Sequence, residues 1–155
     1  MEKRVRIQLP EPRYTLFNTS RKDLPEVICV NESLLSFEQH DVFAWHLSIH
    51  IEAKDLADNG MPTEQESAAL FEFGDRFEAG LGGANALFLA RSTWNGLRIL
   101  YFQVYDPEVA NAFLQSVLAE DPSFREWDFD MHHDPAWTEA GYIFELFPNA
   151  NGLNS

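Results

Sequence analysis

The chain has one cysteine, few basic residues and no long apolar run, and each shortage removes a class of protein. Cys29 alone cannot form an intramolecular disulfide, so the fold has to stand on its core. The first thirty residues contain no apolar stretch resembling a signal peptide or a membrane span, so a soluble cytoplasmic protein with no membrane partner is the expectation. Lys and Arg number 11 against 25 Asp and Glu, a formal charge of −14. A field of that sign repels phosphate backbones, and direct binding of nucleic acid is not expected. Internal repeats, low-complexity tracts and interdomain linkers are missing as well, and 155 residues suit a single domain over 1–155 that buries its own core.

The scarce basic residues are unevenly placed. Lys3, Arg4, Arg6, Arg13, Arg21 and Lys22 face only Glu2 and Glu11 in the first 22 residues, which leaves five basic against 23 acidic, or −18, in the remainder. Two uses fit such a segment: an arm docked on the protein's own acidic body, the commoner fate of a charge run, or a basic tail that touches another molecule.

What is present starts with Leu87–Tyr105, two strands joined by Asn95-Gly96. A type I′ turn needs φ > 0 at both central positions, which Asn tolerates and Gly adopts freely, so this pair is the strongest short hairpin signal. Counting outward from the turn, Leu87, Leu89, Leu100, Phe102 and Val104 fall on one face with Arg91, Thr93 and Arg98 near the tip. That is the expected core face. Phe88, Ala90, Ser92, Trp94, Leu97, Ile99, Tyr101, Gln103 and Tyr105 fall on the other, which is apolar enough to need a cover.

Val42–Glu52 alternates with a period of two, placing Phe43, Trp45, Leu47, Ile49 and Ile51 on one face of a central strand. Thr63 and Glu66 form a capping-box pattern ahead of a helix whose apolar stripe is Leu70, Phe73, Phe77 and Leu81, ended by Gly80, Gly82 and Gly83. Asp106-Pro107 starts a second helix with Val109, Phe113, Val117 and Leu118 as its stripe. Phe124–Met131 returns as a strand, with Trp127, Phe129 and Met131 opposite Glu126, Asp128 and Asp130. A short third helix is expected from Asp134-Pro135, carrying Trp137, Tyr142 and Phe144. Arg13–Asn18 and Glu26–Val30 suggest an additional hairpin.

From Val42 onward the order is strand, helix, strand, strand, helix, strand. That is the α+β, ferredoxin-like split βαβ (βαββαβ) pattern: an antiparallel sheet with two helices on one face, here with an N-terminal hairpin extension (1–35) ahead of the unit at 40–148. The Val42 strand should then lie between the Phe124 strand and the strand from Leu97. The helix-free face would gather His46, His50, Phe88, Tyr101, Glu126, Asp128 and Asp130.

Arg13-Tyr14-Thr15, Val30-Asn31 with Leu34, the run Asn59-Gly60-Met61-Pro62-Thr63-Glu64-Gln65-Glu66, the hairpin with Tyr101-Phe102, and Asp134-Pro135-Ala136-Trp137 leading to Phe147-Pro148 together resemble an uncharacterised, mainly bacterial family, domain of unknown function 695. The interval from Trp137 to Pro148 is longer than the family pattern. Members of that family are similar in fold to the regulator of ribonuclease activity B, an acidic inhibitor that acts by binding. The resemblance therefore implies a binding module and supplies no catalytic residue or cofactor.

Chemistry read from the residues themselves is sparse. His46 and His50 with Glu126, Asp128 and Asp130 are the side chains best suited to a divalent ion or to general-base work. Four residues along one strand span about 13 Å, whereas zinc ligands sit about 2 Å from the ion. A metal would have to use one of these histidines and two carboxylates. His132-His133 points to both faces of its strand. Asp55–Gly60 lacks the ligand pattern of a calcium loop, and Gly80–Gly83 follows a helix, the reverse of a phosphate loop. No nucleophile motif surrounds any Ser or Cys29. The expectation is a non-catalytic acidic module binding a protein with a basic surface, the alternatives being a homodimer through the open sheet face and a metal-dependent enzyme at His46 or His50 with Asp128 and Asp130.

Overall fold

The computed structural model describes residues 8–120 and 125–147. Lys3, Arg4 and Arg6, the start of the Phe124 strand and Pro148 lie outside them. The described elements are β1 (Tyr14–Arg21), β2 (Leu24–Asn31), a 3-10 turn (Glu32–Ser36), β3 (Trp45–Glu52), α1 (Glu64–Leu81), β4 (Ala86–Trp94), β5 (Leu97–Val104), α2 (Pro107–Leu118), β6 (Trp127–His133) and α3 (Thr138–Phe144). The architecture is α+β: one antiparallel six-stranded sheet in the order β1-β2-β4-β5-β3-β6, with three helices.

β3 lies between β5 and β6, the neighbours expected from the order of the elements. The hairpin β1-β2 joins the sheet by pairing β2 with β4, so it lengthens the sheet and does not fold over a face. Its turn uses Lys22 (φ 52°) and Asp23 (φ 65°), and the β4-β5 turn uses Asn95 (φ 45°) and Gly96 (φ 79°), the positive φ pairs that match the strand twist.

The hairpin register holds from Trp94↔Leu97 to Ala90↔Tyr101 and then shifts. A bulge at Leu89 pairs Phe88 with Phe102, Leu87 with Gln103 and Ala86 with Val104. A single extra residue sends every side chain beyond it to the opposite face. Ala86 and Phe88 therefore pack on the helix-covered side, and Leu87 and Leu89 belong to the other one, the reverse of the expected faces.

α1 and α2 cover one face of the sheet. Leu70, Phe73, Phe77 and Leu81 pack on Leu47, Ile49, Ile51, Leu100, Phe102 and Val104, as the α1 stripe foretold. The α2 stripe holds in part: Val117 is buried and Phe113 packs on the main core, but Ala110 and Leu114 are buried while Val109 and Leu118 are exposed. The buried row is the one that meets α1 and the sheet.

The opposite face is not helix-free. Trp137 and the α3 residues Ala140 and Phe144 close a second core with Val30, Leu34, Phe37, Phe43, Leu87, Leu89 and Ala90. Phe43 joins this second core because β3 begins only at Trp45 and the chain turns before it. α3 starts at Thr138, four residues after Asp134, yet Asp134 still caps it by accepting the N–H groups of Thr138 (3.0 Å) and Glu139 (2.9 Å). Tyr142 faces outward.

Candidate functional site: the acidic edge of the sheet

β6 ends the sheet, bonded to β3 on one side only. Its alternation puts Trp127, Phe129 and Met131 against the main core and turns Asp128, Asp130 and His132 the other way. Cross-strand register then sets His50 opposite Asp128 and His46 opposite His132. An open groove of about 840 Å³ runs beside this end of β3 and β6, and His50, Glu52, Glu126, Trp127 and Asp128 line it.

Of the seven residues expected to share this face, Phe88 does not. The bulge turns it to the helix side, where its ring meets Phe102 edge-on at 5.5 Å and Tyr14 at 6.1 Å. Tyr101 is on this face, 5.7 Å from the His46 ring, and burial pushes its hydroxyl above the ordinary pKa. His46 is also here but buried. Its Nδ1 pairs with Oε1 of Gln103 at 2.6 Å, and burial pulls its pKa down, offset in part by that bond and by Asp134 and Glu139.

His50, Glu126, Asp128 and Asp130 remain accessible or partly so. His50 Nδ1 lies 2.9 Å from Asp128, and His132 Nδ1 lies 3.7 Å from Asp130, while the two carboxylates keep 82 % and 73 % of their side-chain surface in solvent. Glu52 completes the cluster: a hydrogen bond to Glu126 and the charge of that group raise its pKa. Carboxylates gathered this closely mark crowding of like charge.

His46 and His50 thus serve different partners. Among the described residues no group of three His, Cys, Asp or Glu side chains is gathered to hold a metal ion. The arrangement can attract cations by field and hydrogen-bond them by carboxylate oxygens; it places no nucleophile beside a base.

Two contacts had no sequence signal. Gln103, fully buried on β5, becomes the partner of His46 only because β3 and β5 pair in one register. Glu66, read as part of a capping box, does have its N–H bonded to Thr63 Oγ1 (3.3 Å), but its carboxylate turns to Arg125 and to the N–H of Lys54.

No helix among the described residues is long and apolar enough to cross a membrane. Neither a curated protein nor a solved structure matches the chain. One family model does match, over residues 13–142, and the chain belongs to that family of unknown function, DUF695.

Proposed function

We propose that the chain is a non-catalytic, acidic binding module that receives a basic segment of a partner protein along the outer edge of β6. The observation that carries this reading is the crowding of Glu126, Asp128 and Asp130 along the edge strand β6 and the residue before it, with Glu52 at the adjoining end of β3. Like charges placed together weaken a fold unless something outside it uses them. Rim charges of this kind speed encounter and select the partner more than they add affinity.

Within the same reading, residues 40–148 form a ferredoxin-like unit with 1–35 as a hairpin extension, in one domain that works in the cytoplasm. The neighbour order β4-β5-β3-β6 and the shared side of α1 and α2 support it. A fold-level kinship with the regulator of ribonuclease activity B, another acidic binder, belongs to the proposal as well.

The test compares wild-type bait with the variant Glu126→Lys/Asp128→Lys/Asp130→Lys in pull-downs from native cells at ~0.05 and ~0.3 M salt. The proposal expects a protein retained by wild type, released by salt and lost from the variant. Capture that ignores both salt and the substitutions would overturn it.

A further inference from the structure

We infer that Arg91, Thr93 and Arg98 form a binding site for a small oxyanion, a single phosphate or carboxylate group, beneath the ring of Phe71. The three side chains stand together on the helix-covered side of β4 and β5: Thr93 is directly opposite Arg98, and Arg91 lies two residues along the same face. This is a different face from the acidic edge.

Each of the other described arginines has a carboxylate partner: Arg13 with Glu32, Arg21 with Glu26, Arg76 with Glu120 and Arg125 with Glu66. Arg91 and Arg98 form no ion pair within 4 Å among the described residues, in a chain with more than twice as many acidic groups as basic ones. Arg98 is only 4 % exposed. Its Nε donates to Thr93 Oγ1 at 3.2 Å, while its Nη1 is buried without an acceptor. Burial of a guanidinium is costly unless its N–H groups are bonded.

The local contacts bring two cations together and leave Arg98 Nη1 without an acceptor. The Arg91 and Arg98 guanidinium carbons lie 4.7 and 4.6 Å from the centroid of the same Phe71 ring. A ring face attracts the charge but accepts no in-plane N–H bond. Burial, then the charge of Arg91, lowers the Arg98 pKa to about 10, so it remains a cation at neutral pH. Thr93 Oγ1 accepts from Arg98 and still has its own proton to give. Three donor side chains thus converge with no carboxylate bonded to them, and the fork of a guanidinium matches the oxygens of a carboxylate or phosphate.

The charged groups facing the cluster limit what fits. Glu66 acts on Arg98 from a distance but is bonded to Arg125 and Lys54, and Glu78 acts on Arg91 with its own pKa raised by burial and by Asp75. Those carboxylates, with the net charge of −14, disfavour a polyanion and leave room for one small anionic group. Phe71 is 43 % exposed, so a change of its rotamer opens the cluster to solvent without disturbing the core.

The experiment follows thermal unfolding of the full chain while sodium phosphate, or sodium acetate as the carboxylate arm, is titrated at ionic strength held constant with sodium chloride. A saturable rise in melting temperature with either anion is expected, and the arm that responds identifies the group. Arg91→Gln, which removes a half-exposed side chain, should weaken the apparent affinity about tenfold, and Thr93→Val should weaken it less. These variants carry the test because Arg98 is buried and its removal alone can prevent folding. No rise beyond the chloride control, or an equal rise in Arg91→Gln, overturns the inference.

Discussion

Arg125 holds both carboxylate oxygens of Glu66, through Nε to Oε2 at 2.8 Å and through Nη2 to Oε1, and so ties the segment before β6 to the first turn of α1. The side chains keep only 10 % and 1 % of their surface in solvent, and the N–H of Lys54 adds a third bond at 2.7 Å. Glu66→Gln strands a shielded guanidinium and should cost about 3–5 kcal/mol in urea unfolding. Burial alone would raise the Glu66 pKa, but Arg125 and the Lys54 N–H outweigh it and hold the carboxyl below its ordinary value of 4.5. A depressed folded pKa means the unfolded chain binds the proton first on acidification. The stabilisation is therefore complete above about pH 5 and lost as pH falls through the folded value, and Glu66→Gln should flatten that part of the stability curve.

The loop Asn59–Thr63 and the turn Asn95-Gly96 are one structure. Gly96 donates to the Gly60 carbonyl at 2.8 Å and accepts from Ala53 at the same distance. A Cβ on Gly60 would lie 2.9 Å from the Asn95 Cα, and its φ of +84° is one that side chains rarely adopt. Gly60→Ala should cost about 1–3 kcal/mol by chemical denaturation. Gly83→Ala, also at positive φ but with open space around it, should cost less, which separates backbone strain from collision.

These contacts show where the sequence is readable. A two-residue turn, an eleven-residue alternation and a stripe at helical spacing each carry a period, and period dictates β4-β5, β3 and α1. The bulge at Leu89 breaks that logic silently, because Leu87, Phe88 and Leu89 are all apolar and no polar residue marks the slip. His50 opposite Asp128 follows from the pairing of β3 with β6, a neighbourhood expected from the element order, and from a register that the order alone does not set. His46 with Gln103, and Glu66 with Arg125, depend on residues 57 and 59 apart meeting side by side, and local pattern holds no record of such pairs.

His46 gives the fold a second acid-sensitive point. Burial lowers its pKa from 6.5, so the unfolded chain takes up a proton that the folded one resists. Stability is then retained above about pH 6.5 and declines as pH falls toward the folded pKa, the opposite sense from a histidine stabilised as a cation. His46→Asn should lower stability at pH 7.5 while reducing the slope between pH 7 and 5. Melting temperatures across that range check the slope, and an unchanged slope assigns the acid loss to other groups.

Trp137 joins α3 to the chain before β3. Its indole N–H is shared between the carbonyls of Phe43 (2.9 Å) and His40 (3.1 Å), and its ring stacks on His40 at 4.1 Å between centroids. The residue is 2 % exposed and sits at φ 57°, in the left-handed region that costs a side-chain-bearing residue about 1–3 kcal/mol. Trp137→Phe keeps a ring but leaves both carbonyls without their donor, an expected loss of about 1–3 kcal/mol. Trp137→Ala removes the ring as well and should cost about 3–5 kcal/mol. Glycine normally weakens a fold relative to alanine, but here it relieves the left-handed strain, so Trp137→Gly should be no worse than Trp137→Ala. Either truncation loosens the cover over Val30, Leu87, Leu89 and Ala90 and should speed amide exchange at Thr138 and Glu139. If α3 is what keeps that face from other chains, both variants will also associate more strongly with rising concentration in sedimentation, while wild type will not.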